Sequence, residues 1–158
     1  MTDSTNSKDS VVIERTFNAP IELIWEMWTQ PEHFKQWYGP NGATIPVAEM
    51  DLQIGGKRLI CMEMRGMKMW TVGEYIKISP TTHLIYTESM SDENGNIISP
   101  SAMGMPDGYP ATTEVRVLLE DLGGSTKMVM THAGMPASSG ADGGWNQAFD
   151  KLATLITK

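Results

Sequence analysis

The chain has 158 residues, 41% of them apolar and 20% charged, and a formal net charge of −7 at pH 7. That length fits one domain, and a chain of this size buries enough surface to fold without disulfides or a structural metal. The acidic balance argues against nucleic acid or an anionic membrane as partner, because both demand clustered cationic side chains.

No run approaches the roughly 18 apolar residues of a bilayer span, and MTDSTNSKDS has no basic stretch leading into an apolar one. Cys61 is the single cysteine and there is no N-x-[ST] sequon, so the expected compartment is cytoplasmic.

Residues 1–10 are too polar to order themselves and are expected to form a disordered tail, leaving residues 11–158 as a single domain. Val11 to Phe17 reads as a strand, and Asn18-Ala19-Pro20 as a helix start. Ile21, Ile24, Trp25 and Trp28 fall on one helical face. Thr29-Gln30-Pro31-Glu32 has the form of a capping box, which predicts a second short helix carrying Phe34 and Trp37 up to Gly39-Pro40.

From Thr44 the period becomes two. Met50, Leu52 and Ile54 share a face until Gly55-Gly56 turns the chain, and Ile60, Met62 and Met64 continue the alternation in the next strand. Arg65 to Lys68 predicts a hairpin turn into a strand from Met69 to Ile78, and another strand runs from His83 to Met90 with Leu84 and Tyr86 on one face. Residues 91 to 111 read as a long loop of the kind that often covers a site, so Met103, Met105 and Tyr109 are candidate lid residues. A late hairpin about Gly123-Gly124 carries Val115, Val117 and Leu119 on one strand and Met128, Met130 and His132 on the other. Trp145, Ala148, Phe149, Leu152, Leu155 and Ile156 then mark one face of a long C-terminal helix.

Segregated helices and a strand meander define an α+β fold: a curved antiparallel sheet of six to seven strands around the C-terminal helix, with two short helices after the first strand. Phosphate-binding glycine loops and a nucleophile elbow are absent from the sequence, and His33, His83 and His132 have no metal-ligand spacing, so no cofactor, no metal and no catalytic residue is assigned. The chain holds 13 methionines, and Met62, Met64, Met128 and Met130 sit on strand faces. Thioethers adapt to irregular apolar ligands, although such stripes also simply fill cores. With a strongly curved sheet, they would line a cavity with Trp145 and Phe149, and His132 with Tyr75 or Tyr86 would orient a ligand there. Glu63, Glu74 and Glu88 are the carboxylates that a bulge would bring near the sheet interior, and without one they are expected on solvated faces.

Five segments in order, FNAPIELIWEMWTQPEHFKQWYGP, DLQIGGKRL, GEYIKISPTTHLIYT, TTEVRVLLEDLGGSTKMVMTHAGMP and GGWNQAFDKLATLI, resemble START-like (SRPBCC, helix-grip) domains of the type named after the activator of heat-shock protein 90 ATPase. The resemblance runs from Val11 to Lys158. It implies a helix-grip fold with an apolar cavity between sheet and C-terminal helix, in a superfamily whose members bind lipids, sterols, hormones or polyketides and sometimes cyclise them.

Three function classes follow. The first is a binding module for a small apolar or amphipathic molecule. The second is a co-chaperone or dimeric adaptor, with a chaperone or homodimer contact through an exposed patch such as Trp37-Tyr38. The third is a cyclase- or hydrolase-type enzyme using His132 or a carboxylate as acid or base.

Overall fold

Residues 10–99, 102, 111–134 and 141–156 are described by a computed structural model, so residues 1–9 of the expected tail and the candidate lid residues Met103, Met105 and Tyr109 lie outside the described part. Strand β1 (Ser10–Phe17) leads into helices α1 (Ile21–Thr29) and α2 (Pro31–Phe34). Six strands follow: β2 (Thr44–Met50), β3 (Lys57–Met64), β4 (Met67–Ser79), β5 (His83–Ser91), β6 (Thr112–Asp121) and β7 (Thr126–Ala133). Helix α3 (Ala141–Ile156) closes the chain. All seven strands form one antiparallel sheet in the order β1-β7-β6-β5-β4-β3-β2. The first strand thus joins the far edge of the meander, and the α+β expectation holds.

Several element boundaries differ from the sequence reading, with Ser10 joining β1 rather than the tail, and three of the differences bear on the interior. Strand β2 ends at Met50, because Gln53 N–H donates to the Asp51 carbonyl at 2.8 Å and Gly56 N–H to the Gln53 carbonyl at 2.8 Å, closing a turn that leaves Leu52 and Ile54 exposed. Strand β4 begins two residues earlier than predicted, at Met67. The connecting turn is only Arg65-Gly66, both with positive φ (55° and 78°), and Met64 pairs directly with Met67. Helix α2 stops at Phe34, and Trp37 sits in the turn behind it.

Parity along the strands selects the concave face. Arg58, Ile60, Met62 and Met64 on β3 share it with Tyr75, with Leu84, Tyr86 and Glu88, with Thr113, Val115, Val117 and Leu119, and with Met128, Met130 and His132. Gly73 lies between Arg58 and the β5 backbone, where a Cβ would come within 1.7 Å of the Thr87 carbonyl oxygen, so this strand crossing admits only glycine. Helix α3 is fastened over the face at both sides. Arg15 Nη2 donates to Asp150 Oδ1 at 2.7 Å, while Lys151 Nζ donates to the Pro40 carbonyl at 3.2 Å and Asn41 N–H to Gln147 Oε1 at 2.8 Å.

Between sheet and helix lies a dense aromatic cluster. Trp28 packs on Trp37 at a centroid distance of 4.9 Å, on Trp145 at 6.0 Å and on Phe149 at 6.0 Å, and Phe34 packs edge-on to Trp37 at 5.2 Å. Ring pairs in these tilted and T-shaped arrangements add about 0.5–1.5 kcal/mol each beyond area burial. The expected apolar patch at Trp37-Tyr38 is therefore absent. Trp37 is 0% exposed and its Nε1 donates to the Met27 carbonyl at 2.9 Å, which folds the turn inward.

Candidate functional site

Beside the aromatic cluster, the same interior holds a row of polar side chains. Arg58, Glu88 and Thr113 are brought together because strand pairing places Arg58 opposite Gly73 and Glu88 opposite Thr113. The next row along the sheet carries Tyr75 opposite Tyr86, Tyr86 opposite Val115 and Val115 opposite His132.

Arg58 is 2% exposed, and its guanidinium lies 3.6 Å over the Tyr86 ring centroid, 5.3 Å from Phe34 and 5.6 Å from Tyr75. Among the described residues no carboxylate forms an ion pair with it, and its Nε and Nη2 have no hydrogen-bond partner. The Tyr75 and Tyr86 hydroxyls are likewise buried, and both stand close to the guanidinium without a well-aligned hydrogen bond to it. Burial works against the charge on Arg58, but the Tyr86 and Tyr75 phenols and the Glu88 carboxyl act the other way and hold its pKa above the ordinary value. Burial also raises the Tyr86 phenol strongly, against the opposing pull of Arg58, so Tyr86 stays protonated and keeps an O–H to donate. A cation over a ring is worth about 2 kcal/mol when desolvated, whereas burying an ion costs several. The rings alone do not balance this charge.

A closed circuit of four side chains borders the row. Tyr38 Oη donates to Glu88 Oε2 at 3.0 Å, His132 Nε2 stands 3.7 Å from Glu88 Oε1, Trp145 Nε1 donates to His132 Nδ1 at 3.1 Å, and the Tyr38 and Trp145 rings meet at 5.7 Å. The indole N–H only donates, so Nδ1 of His132 must be the acceptor and the neutral ring carries its proton on Nε2. Nε2–H then donates to Thr113 Oγ1 at 2.8 Å. Burial holds the His132 pKa below its ordinary value, opposed by Glu88. Burial first, then Glu88, pushes the Tyr38 phenol well above its usual range.

This tautomer constrains the chemistry. A general base needs a free lone pair facing the proton it takes, and on His132 that lone pair is engaged by Trp145 while Nε2–H points at Thr113. The arrangement orients groups; it does not activate the Thr113 hydroxyl. Among the described residues no His/Cys/Asp/Glu group has the geometry to hold a metal ion, and no helix is long and apolar enough to cross a membrane.

A cavity of about 120 Å³ opens on the outer side of the circuit, lined by Tyr38, Gly39, Pro40, Met62, Gly144, Trp145 and Ala148. It is comparable to the roughly 150 Å³ engineered cavity that accepts benzene. Tyr38 and Trp145 are shared: their rings face this mouth and their polar atoms face Glu88 and His132.

Of the residues singled out from sequence, Met62 and Trp145 lie at the mouth, and Tyr75, Tyr86 and His132 lie in the polar rows. Met128, Met130 and Phe149 are fully buried in the core, and Met64 is half-buried beyond Met62 on the same face. Glu88 departs from its expected solvated position. Its side chain is 12% exposed, because residues 84, 86 and 88 share parity and the last of them lands beneath Tyr38. Sequence reasoning missed Arg58 and Thr113, and it offered Tyr38 only as part of an exposed patch. The signal for Arg58 was present, since stepping back by two from Ile60 reaches it.

The family model described as Activator of Hsp90 ATPase homolog 1-like protein matches residues 18–157. No curated protein matches the sequence. Among solved structures, protein CV1439 from Chromobacterium violaceum is similar, with a TM-score of 0.79 and 21% identity over 95% of this chain and 98% of that one. Protein NE0264 from Nitrosomonas europaea gives 0.79 and 19% over 96% of each chain. The AHSA1 protein SPO3351 from Silicibacter pomeroyi gives 0.72 and 18% over 94% and 97%. At these identities the likeness carries the fold.

Proposed function

The chain belongs to the Activator of Hsp90 ATPase homolog 1-like family, and from that premise we propose that it binds a small amphipathic molecule between the sheet and helix α3. The observation that carries this reading is the apolar mouth at Tyr38, Met62 and Trp145 set against buried polar atoms on the same sheet face that have no well-aligned partner among the described residues. Buried polar groups are almost always hydrogen-bonded, so a cluster of orphans on the same sheet face as an apolar pocket points to a guest that completes them. Met62 supplies an adaptable wall, Trp145 a flat one, and Tyr75, Tyr86 and His132 give the guest direction. Met64, Met128, Met130 and Phe149 support these walls from behind.

Native mass spectrometry and a thermal-shift screen with fatty acids, flavonoids, polyketides and simple aromatic acids test this reading. A Cβ at Gly144 meets nothing within 4 Å, so Gly144→Phe places a ring in the mouth without a backbone clash. Compounds that stabilise the wild type are expected to lose at least about tenfold in affinity for this variant, a shift of about 1.4 kcal/mol. Absence of any bound compound, or equal binding to Gly144→Phe, would overturn the reading.

A further inference from the structure

The unpartnered atoms of Arg58 are not a random pair. Nε and Nη2 lie on the same edge of the guanidinium, the edge from which two parallel N–H groups meet the two oxygens of a carboxylate. The flat face is already occupied by the Tyr86 ring at 3.6 Å, which fixes the plane and leaves that edge as the binding direction. The side chain is 2% exposed, so this is a built position inside the fold and not a surface arginine that water satisfies. The carboxyl group nearest in kind, Glu88, is engaged by Tyr38 and faces His132.

Resting on the binding reading above, we infer that the guest is a carboxylate: a single-ring or short-chain acid whose carboxylate docks side-on against Nε and Nη2 of Arg58. The Tyr75 and Tyr86 hydroxyls are buried beside the guanidinium on the same sheet face and supply donors for the remaining lone pairs. The body of the acid occupies the space toward the mouth. Tyr38 is the partition, since its ring lines the mouth, stacks on Phe34 at 4.6 Å and is held by one hydroxyl bond to Glu88. A bidentate acceptor explains why an arginine, and not a lysine, stands here, because an ammonium presents no parallel pair of donors.

Isothermal titration at pH 7 with benzoate and its neutral planar counterpart benzamide, repeated with phenylacetate and phenylacetamide, tests the inference. The acid of each pair is expected to bind the wild type at least tenfold more tightly than the amide. In Arg58→Met that ratio is expected to fall to near one, and in Arg58→Lys to an intermediate value, with near-UV circular dichroism confirming the aromatic packing of each variant. Equal affinity of acid and amide for the wild type overturns the carboxylate assignment while leaving the binding reading standing. A preference that survives in Arg58→Met also overturns it. If neither member of either pair binds, the carboxylate assignment falls, and the binding reading stands or falls on the wider screen above.

Discussion

The two halves of the interior are built on different principles. Around Trp28, the rings of Phe34, Trp37, Trp145 and Phe149 interlock at centroid distances of 4.9–6.5 Å, and Trp28 Nε1 is the one buried orphan atom among them. Around Arg58, four buried polar atoms on three residues lack a well-aligned partner among the described residues, and a cation lies among ring faces with no ion pair. The first half is what a chain without disulfides needs in order to fold. The second contributes little to folding by any ordinary accounting, since orphaned buried groups cost free energy. The guest proposed above accounts for that difference.

Truncation in the aromatic half sharpens this contrast most. Phe149→Ala should cost about 3–5 kcal/mol in urea unfolding, because Phe149 is fully buried against Phe17, Trp28, Trp37 and Trp145. A loss under about 1 kcal/mol would mean that the cluster relaxes around the hole. At the seam between the halves the effect should be smaller. Trp145→Phe keeps most of the ring but leaves Nδ1 of His132 without its donor, a cost of about 1–3 kcal/mol, and it should make His132 easier to protonate. Nuclear magnetic resonance titration of the imidazole reads that change directly.

The pH response follows from the same bond. The folded His132 pKa lies below the ordinary histidine value of about 6.5, so below that pH the unfolded chain binds more protons than the folded one. Stability contributed by neutral His132 is therefore complete above pH 6.5 and is lost as the pH falls through the folded pKa. His83 is also shifted downward, by burial and then by Lys77 and Arg116, and adds to the slope. Subtracting the urea-unfolding profile of His132→Gln isolates the contribution of His132. A difference that does not change between pH 7.5 and 5 would contradict the downward shift of His132. Smallest of all, Gly144→Ala should raise stability by up to about 1 kcal/mol, because this helical glycine has open space around it.

How far these halves could be read from sequence differs in an instructive way. The period of two placed Met128, Met130 and His132 on one face, and it placed Leu84 and Tyr86 together. Carried two residues further, it reaches Glu88 inside the fold, and carried two residues back from Ile60 it reaches Arg58. In both cases the charge argued for solvent, and only the sheet's curvature under helix α3 shows that the face stays covered. Trp37 failed for a different reason. Helix α2 ends after Phe34, and the following turn swings the indole back onto the Met27 carbonyl, a long-range bond that no local pattern encodes. The mouth was legible only in part: Met62 and Trp145 were expected, but Gly39, Pro40 and Gly144 join them through the ties of Lys151 and Gln147 to the loop at residues 38–41.

The thermal stability of Arg58→Met, measured beside Phe149→Ala under the same conditions, tests most directly whether the polar half serves something other than folding. Methionine fills much of the same volume and removes a buried, unpaired cation, so its Tm is expected to equal or exceed that of the wild type. A fall in Tm comparable to that of Phe149→Ala would show that Arg58 is a structural member of the core and would contradict the account.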